Sequence, residues 1–316
     1  MEKKTGDIKR NAGLILTAVI LGILVLISGI KWFFLWQENT ALKREISHLN
    51  QLIDVENTQK KNRKDELLRQ QEVYLIYADA EEQLIKTREE YFTLASELEK
   101  KIRNGETDVK IAYLTFDDGP YLLSESFLDV LEEYDVPATF FSLMKCSETG
   151  YAEQDEIYDR IYRRIIENGH TLGNHTASHK LGAEGIYQSL EVFMNDLLRN
   201  RKFIYDRYGY TTTVMRFPGG TGTAYRIPEV KQEVFKEGYA YVDWNAMTGD
   251  GKYTLPPEEY TANVLNDTQG KDILVVLMHD YSRNTLKALP DIIEGLAEQG
   301  YIFLPLFHDS IMCISE

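Results

Sequence analysis

Cysteine is scarce in this sequence. The 316 residues include only Cys146 and Cys313, and neither belongs to a Cys-x-x-Cys pair. This spacing argues against the usual cysteine-based zinc sites and thiol redox motifs. The sequence leaves open whether the two cysteines form a disulfide with each other.

Positive charge is also scarce. The chain has 35 Lys and Arg residues against 50 Asp and Glu residues, a formal net charge of −15. Residues 110–316 contain 18 basic and 32 acidic residues, which is a net charge of −14. A domain this acidic repels polyanions, so nucleic acid is excluded as an expected partner.

Charge is absent from one long segment near the N-terminus. Residues 12–30 are uncharged, and their number matches the roughly 20 residues that cross a bilayer. Basic residues precede the segment, and tryptophan and phenylalanine residues follow it. The arrangement predicts a cytoplasmic N-terminus at residues 1–11, a membrane anchor at residues 12–36 and an extracytoplasmic remainder. A cleaved signal peptide is the competing interpretation, but the run is longer than a signal core of roughly 7–15 residues.

Proline is absent between residues 37 and 106, and Gly105 is the only glycine there. Apolar residues recur in this segment at helical, coiled-coil-like spacing: Leu42, Ile46, Leu49 and Ile53, then Tyr77, Leu84, Tyr91 and Leu98, with Leu94 and Ile102 alongside. The pattern fails between about residues 54 and 72. We predict a helical stalk at residues 37–106, either two helices or an irregular coiled coil that could form a homodimer. A solvated single helix is the alternative.

Short apolar runs alternate with helical patterns from residue 109 onward. Seven of these runs have the character of strands: VKIAYLTF, PATFFSL, HTLGNHT, TVMRFPG, YAYVDWN, ILVVLMH and YIFLPL. Strands that alternate with helices favour a parallel α/β barrel over an antiparallel fold. In such barrels the reactive groups collect at the C-terminal ends of the strands.

Most of the polar and motif-like residues of this region lie at or just after these strand ends. In chain order they are Asp117 and Asp118, His175 and His179, Arg216 with Pro218 and Gly219, Trp244 and Asp250, and His279 and Asp280. Their convergence at one end of the predicted barrel indicates a functional site. For the Asp-Asp-Gly-Pro segment by itself, a simple turn is the alternative.

Two histidines and a carboxylate indicate a metal site. His175 and His179 are four residues apart, so a helical turn would point both imidazoles in one direction. With a carboxylate from the first strand they form a set that suits Zn²⁺, and also Co²⁺, Ni²⁺ or Fe²⁺. One acid of the Asp117–Asp118 pair can then bind the metal while the other accepts a proton from metal-bound water. A bound cation removes the repulsion between the two acids.

The ordered segments TFDDGP, HTASH, RFPGG, DWNAMTGD and LMH resemble the five motifs of the polysaccharide deacetylases, the NodB-homology group of carbohydrate esterase family 4. The resemblance covers about residues 109–306. It implies an α/β fold, a distorted (β/α)7-type barrel, in a catalytic domain that we place at residues 107–316. It also implies an enzyme that uses a metal-bound water to remove N- or O-acetyl groups from polysaccharides.

The resemblance assigns the first three motifs to the metal and the base. Asp117 corresponds to the catalytic base, and Arg216 to the arginine that holds this base ionised and in place. Asp118, His175 and His179 correspond to the metal ligands.

The resemblance assigns the remaining motif residues to the acid and the substrate. His279 corresponds to the general acid, and Asp250 to the carboxylate that orients it, although Asp250 could instead be a turn residue before Gly251. The backbone N–H near Gly219 corresponds to the oxyanion donor, and Leu277 to a wall of the acetyl pocket. Trp244 is interpreted as an aromatic residue of the barrel wall or as a sugar platform.

Two departures from the family motifs affect the predicted substrate groove. Many members have an aromatic residue at the position of Gly219. Many also have tryptophan directly after the aspartate of the fourth motif, where this chain has Gly251, with Trp244 earlier. Both changes open the groove and leave the metal and proton-transfer residues in place.

The predicted activity is removal of acetyl groups from an N-acetylated glycan outside the cytoplasmic membrane. Peptidoglycan N-acetylglucosamine is the first expected substrate, followed by an exopolysaccharide, chitin-like oligomers or acetylated xylan. A neutral glycan with a cationic product fits an acidic domain. The rival interpretation is a catalytically silent glycan-binding or scaffold protein of the cell wall.

Overall fold

The structure is a computed structural model that describes residues 2–78, 88–145, 152–224 and 226–314. It contains two compact units, Met1–Arg63 and Lys64–Glu316. Cys146 lies outside the described residues, so pairing with Cys313 stays an open question.

The N-terminal unit is helical. Helix α1 is Glu2–Ala78, and the part from Thr17 to Lys64 contains a window with a mean hydropathy of 2.4. By length and composition this is a helix that could cross a membrane, and none of that window is buried in the protein. The large apolar side chains of this stretch, Trp32 and Trp36 among them, are exposed. Such a surface is compatible with a membrane anchor.

The stalk prediction is met only as far as helical structure is concerned. Helix α1 continues without a break through residues 54–72, where the apolar spacing fails. Leu84, one member of the seven-residue repeat, lies outside the described residues. The coiled coil and the homodimer therefore remain predictions.

The C-terminal unit is built on a parallel sheet. Its strands are β1 (Lys110–Asp117), β2 (Thr139–Ser142), β3 (Thr171–Asn174), β4 (Val214–Met215), β5 (Ala240–Tyr241), β6 (Ala246–Met247), β7 (Ile273–His279) and β8 (Tyr301–Phe303). The order across the sheet is β5-β4-β3-β2-β1-β7-β6, with β8 also paired to β1. The predicted (β/α)7-type barrel is thus confirmed in the form of a parallel half-barrel.

Strand β1 is the centre of this sheet. It pairs with β7 from Ile111 to Asp117. Its other edge pairs with β8 near its start and with β2 near its end. All seven predicted strand segments contain a strand, and β6 is an additional one. Strand β6 has only two residues, too few to produce a periodic pattern.

Helices pack around the sheet. They are α2 (Arg88–Arg103), α3 (Ser124–Glu133), α4 (Ala152–Glu167), α5 (Leu190–Tyr208), α6 (Thr221–Ala224), α7 (Val230–Lys236), α8 (Pro257–Asn266) and α9 (Arg283–Glu298), with a 3-10 turn at Ile186–Gln188. Most of them follow a strand, which is the alternation that produces parallel pairing.

The side chains of β1 alternate between two hydrophobic cores. Leu114 and Phe116 belong to the core that the sheet shares with the surrounding helices. Ile111 and Tyr113 belong to the core inside the barrel. Because successive residues of a strand point to opposite faces, Asp117 continues the inward series. The strand therefore directs this carboxylate to the inside of the barrel at its C-terminal end.

Helix α2 contributes its apolar face to the inner core. Ala95, Leu98 and Ile102 are buried there with Ile111, near the N-terminal end of β1, and Ile302 of β8. Residues 88–103 fall inside the predicted stalk at 37–106. Their apolar spacing is helical as predicted, but the face it creates packs on the barrel.

Truncation of Leu98 tests this packing. We expect Leu98→Ala to lower the free energy of unfolding of the C-terminal unit by about 2–5 kcal/mol, because the truncation leaves a cavity in the inner core. Chemical denaturation of the detergent-solubilised full chain, followed by near-ultraviolet circular dichroism, measures the change. The matched control is Leu181→Ala, since Leu181 is 45% exposed. Equal and small effects of the two substitutions would show that α2 is not part of this core.

Candidate active site

The two adjacent acids of the first motif leave β1 in different conformations. Asp117 is the last residue of the strand and is 4% exposed. In a continued strand Asp118 would point to the opposite face of the sheet. It has φ 72° instead. This left-handed conformation ends the strand and lets both carboxylates approach the same histidine, His175.

Arg216, just after β4, is the largest fully buried side chain of the protein among the described residues. Its Nη1 donates to Oδ1 of Asp117 at 2.8 Å and to Oγ1 of Thr115 at 2.7 Å. Nε donates to the carbonyl of Val242, and Nη2 to the carbonyl of Asp243, both at 3.1 Å. The buried guanidinium is thus well supplied with acceptors, as a buried charge requires.

Asp118, His175 and His179 converge on one point. Oδ1 of Asp118 lies 3.5 Å from Nε2 of His175 and 3.4 Å from Nε2 of His179. One ligand atom from each of these residues lies within 4.8 Å of the others. Oδ1 of Asp118 is buried and has no hydrogen-bond partner among the described residues. Two imidazole nitrogens and an unpartnered carboxylate oxygen fit a divalent cation such as zinc.

The tautomer of His175 is set by a backbone carbonyl. Nδ1 of His175 lies 2.7 Å from the carbonyl oxygen of Arg216, so it is the nitrogen that carries the proton. Nε2 is then left with its lone pair toward the acids. Burial lowers the pKa of His175 to about 3. The ring is therefore neutral at physiological pH, which is the form that binds a metal.

The two histidines are brought together by a loop, which corrects the expected helical turn. Residues 175–179 have no helical structure, and Thr176 and His179 have φ values of 68° and 52°. Asp196 of α5 holds this loop, because its Oδ2 accepts hydrogen bonds from the backbone N–H groups of Ala177 and Ser178. The His175 and His179 ring centroids end 5.0 Å apart.

His279, at the end of β7, is held by Asp250. Nδ1 of His279 lies 2.8 Å from Oδ1 of Asp250, and the His279 backbone N–H donates to Oδ2 at 2.9 Å. Thr285 of α9 donates to the same Oδ2 at 2.7 Å. A Cβ atom on Gly251 would lie 2.7 Å from the imidazole Cε1. Glycine is therefore required where the ring lies against the backbone. Nε2 of His279 is 3.8 Å from Oδ2 of Asp118.

The pKa values of Asp117 and His279 are both raised, but for different reasons. Burial raises the pKa of Asp117, and the charges of Arg216 and His279 act against this rise. Burial by itself would lower the pKa of His279, but the hydrogen bond and charge of Asp250 raise it to about 9. His279 is therefore protonated at neutral pH. Two titratable groups with environments this different can serve as a base and an acid.

Three further predicted residues lie around this centre. Leu277 is half-buried on β7, two residues before His279 and on the same face of the strand. Trp244 is half-buried, packs against the inner core and lies 5.7 Å from the Arg216 guanidinium. Gly219 lies in the loop after β4, where its carbonyl accepts a hydrogen bond from Thr223. Its role as an oxyanion donor stays a prediction.

Sequence reasoning missed the residues that support the site. Asp196 and Thr285 hold the histidine loop and Asp250, and neither belongs to a motif. Asp280 lies at a predicted strand end, but the sequence predicts no role for it. A first-turn position in a helix is the only signal that Thr285 offers. Partners far apart in sequence are visible only after folding.

The fold and this residue set define a hydrolase of the carbohydrate-deacetylase type. The family model for polysaccharide deacetylases matches residues 104–239. A peptidoglycan-N-acetylglucosamine deacetylase of Bacillus cereus is 31% identical over 200 residues, which cover 61% of this chain and 68% of the relative. The chain therefore belongs to the polysaccharide deacetylases, the enzymes of carbohydrate esterase family 4.

Solved structures agree with this assignment. The catalytic domain of a peptidoglycan N-acetylglucosamine deacetylase from Eubacterium rectale is 32% identical, with a TM-score of 0.57 over 66% of this chain and 93% of that chain. A carbohydrate esterase family 4 enzyme from Streptococcus mutans is 28% identical, with a TM-score of 0.56 over 67% of this chain and 91% of that chain.

Removal of the Asp250 charge tests the environment of His279. Asp250 raises the pKa of this imidazole, so we expect Asp250→Asn to lower it by at least about one unit. Protonation of His279 stabilises the fold fully below pH 6.5, and this contribution is lost as pH rises through about 9. In the variant the loss should come at lower pH. Side-chain NMR titration measures the pKa.

Asp272→Asn is the matched control, since Asp272 is exposed just before β7. It should leave the pKa of His279 unchanged. A His279 pKa that stays near 9 in Asp250→Asn would contradict the assignment of Asp250 as the orienting carboxylate.

Proposed function

We propose that this protein is a metal-dependent deacetylase that removes the N-acetyl group from glucosamine residues of peptidoglycan outside the cytoplasmic membrane. One observation carries the proposal. A candidate metal triad, a carboxylate held by a buried arginine and an imidazole held by a second carboxylate lie together at the C-terminal end of the barrel.

Asp118, His175 and His179 would hold the divalent cation, with zinc as the first choice and cobalt, nickel or iron as alternatives. When bound, such a cation supplies a Lewis acid that polarises the acetyl carbonyl and makes water more acidic. The chain contributes a fixed ligand set to this site. Before any cation binds, burial keeps His175 neutral, and its Nδ1–H donates a hydrogen bond to the Arg216 carbonyl, which leaves Nε2 free to bind the metal.

Asp117 is proposed as the general base. Its Oδ1 is occupied by Arg216, whereas its Oδ2 lies 3.7 Å from Nε2 of His175 and so faces the metal triad. Oδ2 can therefore accept the proton of an attacking water. Burial raises the pKa of Asp117 and so makes this carboxylate a better proton acceptor.

His279 is proposed as the general acid. An amide nitrogen leaves only when it has gained a proton, so the group beside it must be protonated before the C–N bond breaks. Asp250 holds Nδ1 of His279, which directs Nε2 toward Asp118 and the reacting centre. The raised pKa of His279 keeps the Nε2 proton available at neutral pH.

Gly219 and Leu277 are proposed to contact the substrate, and Trp244 is proposed to line the barrel beside them. The Gly219 backbone N–H would donate to the developing oxyanion. Leu277 would form an apolar wall for the acetyl methyl group. Trp244 would serve mainly as a wall of the barrel, since it is half-buried against the inner core.

Peptidoglycan is proposed as the substrate because relatives similar to this chain carry the name of peptidoglycan deacetylases. An acidic domain also suits a neutral N-acetylated sugar and a cationic product. The detergent-solubilised full chain should release acetate from purified peptidoglycan more efficiently than from acetylated xylan. Faster acetate release from xylan would indicate xylan as the substrate in place of peptidoglycan. No release from any glycan would favour the alternative of a catalytically silent scaffold protein.

Substitution of Asp117 and substitution of Asp118 should each lower the activity, but with a different response to added metal. Asp118→Asn weakens a metal ligand, so activity should recover partly at high metal concentration. Asp117→Asn keeps all three ligands but lacks a proton acceptor, and its activity should fall about 10²- to 10⁴-fold with no recovery. Elemental analysis and acetate release measure both variants. Recovery of Asp117→Asn by metal, with Asp118→Asn beyond recovery, would mean that the roles are exchanged.

The proposed topology has residues 1–11 in the cytoplasm, an anchor at residues 12–36, a stalk at residues 37–106 and the catalytic domain beyond. The apolar helix within α1 supports an anchor. Protease added to intact protoplasts should remove the chain after residue 37 and spare an N-terminal tag. A protected catalytic domain would contradict this topology and rule out a wall substrate.

A further inference from the structure

Asp280 is a buried carboxylate beside the active site to which the proposed chemistry assigns no role. It follows His279 directly and is fully buried. Its Oδ2 accepts a hydrogen bond from the hydroxyl of Ser124, the first residue of α3. Its Oδ1 has no hydrogen-bond partner among the described residues. A half-satisfied buried carboxylate is destabilising, so its presence calls for a reason.

The hydrogen bonds of Ser124 have a definite direction. The backbone N–H of Tyr121 donates to Oγ of Ser124 at 2.7 Å. The single hydroxyl hydrogen of Ser124 is then free to be donated to Asp280. A continuous path therefore links the backbone of the loop after β1 to the carboxylate at the end of β7.

The same loop also packs directly on Asp280. A Cβ atom on Gly119 would lie 2.5 Å from Oδ2 of Asp280 and 2.9 Å from Oδ1. Only glycine lets the loop backbone approach this closely. The rings of Tyr121 and Tyr281 form a further contact between the two loops, with centroids 5.3 Å apart at nearly right angles. The loop after β1 is thus fitted against the loop after β7 at three points.

Each of these loops carries one half of the proposed chemistry. The loop after β1 begins with Asp118, a proposed metal ligand, and the loop after β7 begins beside His279, the proposed acid. Oδ2 of Asp118 and Nε2 of His279 are 3.8 Å apart. Any shift of one loop against the other would change this distance.

We propose that Asp280 and Ser124 are positioning residues whose hydrogen bond, the Asp280–Ser124 clamp, sets the distance between the metal-ligand loop and the general acid His279. The inference rests on the proposed function, because it assigns the clamp to the proton-transfer step of that same site. The clamp acts on geometry, since Asp280 and Ser124 are fully buried and are not among the candidate metal ligands. Misplacement of reacting groups by about 1 Å is enough to slow an enzyme about 10²-fold.

The test uses the full chain in detergent with N-acetylglucosamine oligomers as substrate. Asp280→Ala and Ser124→Ala should each lower kcat about 10- to 100-fold. KM should stay within about threefold and the metal content unchanged, since ligands and groove are intact. Asp280→Asn keeps an oxygen that can accept from Ser124 and should retain kcat within about threefold. The double alanine variant should be no worse than either single one, because both remove one interaction.

Ser126→Ala is the matched control, since Ser126 lies on the same helix two residues beyond the clamp. It should leave kcat unchanged. The second readout needs no substrate: the imidazole ¹⁵N signals of His279 should shift in Asp280→Ala and Ser124→Ala but not in Ser126→Ala.

Several results would overturn the clamp. They are unchanged kcat in both alanine variants, a loss confined to KM or metal content, or a lower melting temperature with unchanged kcat and unchanged His279 signals. If the wild-type chain releases no acetate, the proposed function fails, and the His279 signals still decide whether the clamp positions this ring.

Discussion

The buried guanidinium of Arg216 is the interaction on which the site depends. It bonds Asp117 and Thr115 on β1 and the two carbonyls that follow β5. The carbonyl of the same residue fixes the tautomer of His175. One residue therefore connects the proposed base, a proposed metal ligand and three strands. Breaking a buried charge pair by removing one partner costs about 3–5 kcal/mol, so this arrangement is strongly maintained once formed.

The rest of the site contains two charge pairs that differ in their burial. Asp117 and Arg216 form a pair inside the barrel, where burial raises the pKa of the acid. His279 and Asp250 form a second pair nearer the surface, in which the carboxylate raises the pKa of the imidazole. The candidate metal triad lies between these pairs. An acceptor on one side and a donor on the other are what amide hydrolysis requires.

Much of this could be predicted from the sequence because strands and motifs are local. Asp117, Asp118 and His279 follow directly from apolar runs, and a parallel sheet places such strand ends on one edge. The path between His175 and His179 could not be predicted. Their spacing suggests a helical turn, whereas Asp196, 17 residues beyond His179, holds a loop with left-handed residues.

The packing of α2 on the barrel could not be predicted either, because helical spacing is the same whether the apolar face packs on a second helix or on a sheet. The hydrogen bond between Ser124 and Asp280 could not be predicted, because the two residues are 156 positions apart in the chain.

In the proposed site, Asp118, His175 and His179 hold one cation while Asp117 remains unliganded beside it. Anomalous X-ray diffraction at the zinc edge, from crystals of the protein grown with zinc, tests this arrangement most directly. We expect one strong peak about 2.0–2.2 Å from Nε2 of each histidine and from a carboxylate oxygen of Asp118. A peak bound by Asp117 in place of Asp118, or one away from both histidines, would contradict it.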